Sequence, residues 1–147
     1  MKILQIKENK KKYLDLLLLA DEQESMVDRY LEDGDMYILD DNGAKAVCVV
    51  KEIDKENLEI KNLAVSPNSQ KKGYGKYMIE YISKTYKEKY INLYVGTGDS
   101  PLTIPFYEKC GFKRSYSIKN FFVDNYDHPI FEEGIQLVDM IYLKKKL

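Results

Sequence analysis

The chain has 147 residues, 44% of them hydrophobic and 32% charged, with 23 basic against 24 acidic side chains. A chain of this length can bury about two-thirds of its unfolded surface in one core, and the composition excludes a disordered tail and a fibrous repeat. A net charge of −1 argues against a nucleic-acid partner, no apolar run approaches a membrane span, and two cysteines make no disulfide framework, so a reduced, cytoplasmic, single-domain protein over residues 1–147 is expected.

In chain order, Met1 to Lys7 alternates weakly and predicts a short first strand. Residues 8 to 20 place Tyr13, Leu14, Leu17 and Leu18 at helical spacing, and residues 22 to 31 predict a second short helix ending before Asp33-Gly34-Asp35. Met36 to Asp40 and Ala44 to Ile53 are strand-like, and the Asn42-Gly43 step between them is a hairpin signal. Leu58 to Val65 predicts the third strand of this meander, stopped by Pro67. Gly73 to Lys87 is the clearest helix, with Tyr74, Tyr77, Met78, Tyr81, Ile82 and Thr85 on one stripe. Tyr90 to Val95 predicts a strand, Pro101 to Cys110 a helix closed by Gly111, and Phe112 to Ile118 and Leu137 to Leu143 the last two strands. Residues 119 to 136 are rich in Asn, Asp, Pro and Gly and are expected to be irregular. The sum is α+β: a mixed, mostly antiparallel sheet of about six or seven strands with about four helices.

The most informative stretch runs from Leu63 to Lys76. A buried strand ends at a proline, a short polar loop follows, and a helix opens on Gly73 and Gly75. A helix start leaves four backbone N–H groups unpaired and carries partial positive charge, and glycines let a ligand come close to them. Lys71, Lys72 and Lys76 add positive charge, so the loop reads as a pyrophosphate site or, alternatively, as a tight helix start with glycines for packing. Neither a Walker loop nor a Gly-x-Gly-x-x-Gly fingerprint is present.

Gln70-Lys71-Lys72-Gly73-Tyr74-Gly75, after a strand ending Leu-Ala-Val-Ser-Pro, resembles the Gln/Arg-x-x-Gly-x-Gly/Ala signature of the GNAT superfamily of N-acetyltransferases. Phe106-Tyr107-Glu108-Lys109-Cys110-Gly111-Phe112 is similar to the Phe-Tyr-x-x-x-Gly-Phe segment of that family, in the same order along the chain. The segments from Gly96 to Ser100 and from Phe121 to Met140 look like a subgroup of small bacterial acetyltransferases. The resemblance implies a GNAT-like fold splayed between strands 58–65 and 90–95, and acetyl-coenzyme A (acetyl-CoA) as co-substrate, with no metal. It implies that the loop from Gln70 through Gly75, with Tyr74 and Lys76, holds the pyrophosphate. Leu63, Ala64 and Val65 would border the pantetheine arm, with Phe106 beside it. A break in alternation at Asn62-Leu63 is consistent with a bulge where the strands part.

The resemblance also assigns chemistry. Tyr107 stands at the family's tyrosine position and is the candidate general acid for the leaving thiolate. Glu59 stands where some family members carry a general base. The family often has an asparagine seven residues before the tyrosine; here it is Ser100, a helix cap that can still donate a hydrogen bond. Cys48 and Cys110 read as packed residues, and the single His128 has no ligand set around it for a metal.

The expected activity is direct transfer of acetyl from the thioester to an amine of a small molecule or a lysine-like acceptor. Acids concentrate at residues 21–35 and 120–143, lysines at 71, 72 and 76. A positive coenzyme mouth and a negative acceptor mouth are therefore expected, favouring a cationic amine. Two rivals stand beside this reading. One is a non-catalytic coenzyme A-binding sensor on the same fold. The other is an interaction module or homodimer built on Tyr116, Phe121, Phe122, Tyr126 and Phe131.

Overall fold

Apolar–polar alternation in the first half of the chain becomes four antiparallel strands. In the computed structural model, which describes all 147 residues, β1 (Lys2–Ile6), β2 (Asp35–Asp40), β3 (Ala44–Glu52) and β4 (Asn57–Val65) pair in sequence order. Between β1 and β2 lie a 3₁₀ turn at Lys10–Tyr13, α1 (Leu14–Ala20) and α2 (Glu24–Val27). After β4 come α3 (Tyr74–Tyr86), β5 (Asn92–Gly98), α4 (Thr103–Lys109), β6 (Lys113–Ile118), α5 (Phe121–Asn125), the short β7 (Phe131–Glu132) and β8 (Ile135–Gln136), and β9 (Met140–Lys146). The sheet order is β1-β2-β3-β4-β5-β9-β6, with β5 parallel to β4 and every other neighbour antiparallel; β7 and β8 form a separate ribbon.

One core lies under α3 and α4, where Met78, Ile79 and Ile82 meet Cys48, Ile60 and Leu93. The other lies across the sheet, where Leu17, Val27 and Leu31 meet Ile38, Val47 and Val49. The buried stripe of α3 is Gly75, Met78, Ile79, Ile82 and Tyr86, rotated from the expected one. Aliphatic side chains take the centre of the face. Tyr77, an amphipathic residue, sits at the rim with 41% of its surface exposed.

Several expectations need correcting. The helix expected over residues 22 to 31 stops at Val27 and continues as turns. The buried Lys10 explains how that stretch is held: its Nζ donates to the carbonyls of Leu31 (2.8 Å), Glu32 (3.2 Å) and Gly34 (2.8 Å). Lys10→Met keeps the aliphatic stem and strands those carbonyls. A loss of about 1.5–3 kcal/mol is expected, read as a shift of the urea midpoint. The second correction is the stretch 119–136, which is not irregular. Asn120, in a left-handed conformation, starts α5, and the β7–β8 ribbon turns on Glu133 and Gly134 at positive φ. The helix count is therefore five, and β5 runs to Gly98 rather than ending at Val95.

The feature that positions the site is a bulge. Val50 pairs with Ile60 but Val49 pairs with Asn62, so Lys61 is an extra residue in β4, one position before the expected break. Leu58 and Ile60 belong to the α3 core. Beyond the bulge, Leu63 and Val65 pack on that core, while Ala64 joins the opposite one. Pairing of β4 with β5 ends at Ile60 opposite Val95, so the backbone edge from Lys61 to Val65 has no strand beside it on that side.

Candidate active-site cleft

Two cavities open where β4 and β5 part, one of about 460 Å³ on the α3 side and one of about 350 Å³ on the α1 side. Both are lined by Leu63, Val65, Gln70, Thr103, Tyr107 and Glu132, so they meet at those side chains.

The α3-side cavity is bordered by the Leu63–Lys76 loop. Lys71 (φ 64°) and Gly73 (φ 84°) both adopt left-handed backbone, a sequence of turns that directs successive N–H groups to one side as an anion nest. The first backbone bond of α3 runs from Tyr77 N–H to Gly73 O, which leaves the N–H groups of Gly73 to Lys76 unspent by the helix. Tyr74 Oη donates to Asp41 at 2.6 Å and fixes the helix start to the β2–β3 turn. Gln70 Nε2 reaches the Val65 carbonyl at 3.4 Å and ties the loop to the strand end. A Cβ on Gly75 would come 3.0 Å from the ring of Phe106, and a Cβ on Gly73 would stand in open space at the mouth. A loop of unspent N–H groups, an open glycine and two lysines, Lys71 and Lys76, fits a pyrophosphate.

The α1-side cavity has the opposite sign. Asp21, Glu22 and Glu132 line it against one lysine, Lys61. Asp21 accepts from Tyr30 Oη at 3.0 Å and from Tyr126 Oη at 2.6 Å. Burial pushes its carboxyl above the ordinary range, and the two hydroxyls pull it part of the way back. Its neighbours hold the excursion between β6 and β9 over the cavity: Gln23 accepts from Asp127 N–H at 3.0 Å, and Arg29 donates to Asn125 at 3.1 Å. Two β5 glycines make room for this wall. A Cβ on Gly96 would lie 2.6 Å from Met140 Sδ, and one on Gly98 2.6 Å from Leu137.

Tyr107 sits at the junction, 7% exposed, its ring edge-on to Phe106 at 5.1 Å and to Phe112 at 5.5 Å. Burial raises its phenol well above the ordinary value, with the nearby Cys48, Cys110 and Glu132 adding to it. Such a group stays protonated at neutral pH and is available as a donor.

The other expected site residues divide. Leu63, Val65, Gln70, Lys71, Gly73, Tyr74, Gly75, Lys76 and Phe106 line the α3-side cavity; Ala64 lines only the α1-side one, and Lys72 lines neither. Ser100 is 2% exposed and borders neither cavity; its Oγ accepts from Leu102 N–H at 3.1 Å, as a cap would, and its hydroxyl bonds Glu132. Glu59 also borders neither cavity. Its carboxylate takes the Tyr142 hydroxyl at 3.0 Å and Lys61 Nζ at 3.3 Å. Glu132, which the sequence reading did not single out, is the one carboxylate common to both cavities. Burial raises its pKa, the Ser100 hydroxyl lowers it, and Glu133 and Glu22 raise it further. Phe122 and Tyr126, two aromatics of the rival interaction module, line the α1-side cavity; Tyr116 is half exposed and stacks on Tyr142 at 4.7 Å.

Comparison with known proteins bears on the family and the fold. A family model described as an acetyltransferase (GNAT) domain matches residues 32–114. The uncharacterized N-acetyltransferase YvbK of Bacillus subtilis (strain 168) is 40% identical over 132 residues, covering 88% of this chain and 85% of its own length. A GNAT family acetyltransferase from Elizabethkingia anophelis, solved with acetyl-CoA bound, superposes with a TM-score of 0.94 at 37% identity, covering 99% of this chain and 97% of that one. An IAA acetyltransferase from Bacillus cereus ATCC 14579 gives a TM-score of 0.92 at 35% identity, covering 99% of each chain.

Proposed function

The chain belongs to the GNAT acetyltransferase family, and on that premise we propose that it transfers acetyl from acetyl-CoA to the amine of a small cationic acceptor. The observation that carries this reading is the junction: a cavity with an anion nest and a cavity lined by three carboxylates meet at Tyr107 and Glu132. Bound in the nest, acetyl-CoA supplies an acetyl group already activated as a thioester. Glu132 takes a proton from the acceptor ammonium, so that a neutral amine attacks the carbonyl carbon. The C–N bond forms and the C–S bond breaks. Tyr107 donates its proton to the departing sulfur and is reprotonated from solvent, and the protons held by Glu132 and the new amide pass to solvent. No covalent link to the protein is needed. Glu59, bonded to Lys61 and Tyr142, lines neither cavity, which favours Glu132 over it as the base.

The test is a panel of cationic, neutral and acidic amines, scored by free-thiol release at low and high salt. A cleft lined by three carboxylates concentrates cations, so kcat/KM for a cationic amine should fall as salt rises. A preference for acidic acceptors, or indifference to salt, defeats the acceptor assignment. A parallel experiment checks the coenzyme mouth. Acetyl-CoA at a hundredfold excess over its Kd should stabilise the fold by about 2.7 kcal/mol. Gly73→Val puts a branched side chain at the mouth and strains a left-handed position, so most of this stabilisation should vanish. An undiminished thermal shift in that variant argues the pyrophosphate sits elsewhere.

A further inference from the structure

We infer that the acceptor is a linear alkyl diamine, its reacting nitrogen at Glu132 and its second ammonium at Asp21; this rests on the N-acetyltransferase reading above. The acceptor cavity carries its acids in two places. Glu132 stands at the junction with Tyr107, while Asp21 follows the last residue of α1 and lines the α1-side cavity alone. A chain of contacts connects the two. Tyr126 bonds Asp21 and stacks on Phe122, and Phe122 packs with Ile130, two residues before Glu132. The wall between the acids is thus apolar, with Leu137 and Met140 completing it. Acid, apolar wall, acid is the complement of ammonium, methylenes, ammonium.

The far end is short of donors. Each oxygen of Asp21 takes one tyrosine hydroxyl, and a carboxylate oxygen can accept two hydrogen bonds. The cations that act on it, Lys61 and Arg29, are drawn instead to Glu59 and Asn125. Beside it, Asn62 is 3% exposed and lines the same cavity. Its Nδ2 is spent on the Leu17 carbonyl at 2.9 Å and Tyr30 Oη at 3.0 Å, which fixes the amide orientation. Oδ1 is left as the one buried side-chain polar atom without a partner. That atom has essentially no accessible surface, so it is closed to the cavity, and the open acceptor positions are those of Asp21. An ammonium has three donors and no acceptor, and it suits them. An amino acid would bring a carboxylate against these acids. The cavity, about 350 Å³, is roughly ten water volumes, room for two amino groups and a short methylene chain.

The experiment compares 1,4-diaminobutane and 1,5-diaminopentane with butylamine and pentylamine, at saturating acetyl-CoA, by thiol release. The diamines should show kcat/KM at least about tenfold above the monoamines of equal length, a difference worth about 1.4 kcal/mol. In Asp21→Asn that ratio should collapse to within about threefold, with acetyl-CoA stabilisation retained as proof of folding. Glu22→Gln, at a half-exposed carboxylate 4.0 Å from His128, should lower the ratio in the same direction by less, with acetyl-CoA stabilisation again the check on folding. Equal use of monoamine and diamine by the unaltered protein overturns the inference, as does an Asp21→Asn variant that keeps the preference. Turnover of other amines but of none of these four overturns it while leaving the transferase reading intact. No turnover of any amine defeats both.

Discussion

Tyr107→Phe is expected to lower kcat by about 10²–10⁴-fold without weakening acetyl-CoA stabilisation. The packing of the ring survives, because its contacts with Phe106 and Phe112 are edge-on contacts of the ring itself. The hydroxyl is removable without structural damage, since no other side chain hydrogen-bonds it. What disappears is a protonated donor at the point where the two cavities meet. A thiolate must then leave unassisted or find water. Because the interaction is made only as sulfur departs, kcat and kcat/KM should fall together while ground-state binding holds. Near-full turnover in the variant, with chemistry rate-limiting in single-turnover measurements, would assign the acid role to water.

Glu132→Gln is expected to cost a similar factor and to change the pH profile, which separates a base from a structural residue. A base works only when ionised, so kcat/KM for the unaltered protein should decline as pH falls through the pKa of Glu132. Burial, Glu133 on its own ribbon and Glu22 from the α1–α2 connection all raise that pKa; the Ser100 hydroxyl lowers it; Tyr107 of α4 faces it as a neutral phenol. The sum is upward, so the acid limb should lie above the ordinary carboxylate range. In Glu132→Gln that limb should disappear, leaving only the one set by the acceptor's own ammonium. Glu59→Gln should leave the limb in place. If the limb instead follows Glu59, the position read from the family resemblance was the right one.

Much of the fold was legible because its signals are local. The Asn42-Gly43 hairpin, the Pro67 stop and the Gly-rich start of α3 each act within a few residues, and each element appears where the spacing placed it. The lining of the α3-side cavity was legible for the same reason, since Leu63 to Lys76 is one continuous stretch. The acceptor side was not. Residues 119–136 carry turn-forming residues that masked a helix of five residues, and α5 exists only because Phe122 finds Ile130 and Leu137 to pack against. Ser100 was legible as a cap, and the capping bond is there; its burial follows from how α4 seats against β5, which no local pattern reports. Glu132 lay in the same masked stretch, within an acidic run that resembles any solvated loop. Only the closing of that excursion onto Asp21 and Gln23 brings it to the junction.

The distribution of the two walls along the chain bears on the proposed function. Residues 63–76 and 102–107 supply all of the α3-side lining except Glu132, whereas the α1-side lining is shared by residues 19–22, β4, β5 and the excursion between β6 and β9. That excursion is inserted at the end of an edge strand and is closed by polar bonds to residues 21–29, not by the main core. Its length and sequence can therefore drift without disturbing the sheet or the nest. On the proposed reading, substrate choice can therefore change through that excursion and the residues after α1 while the α3-side loop is left unchanged.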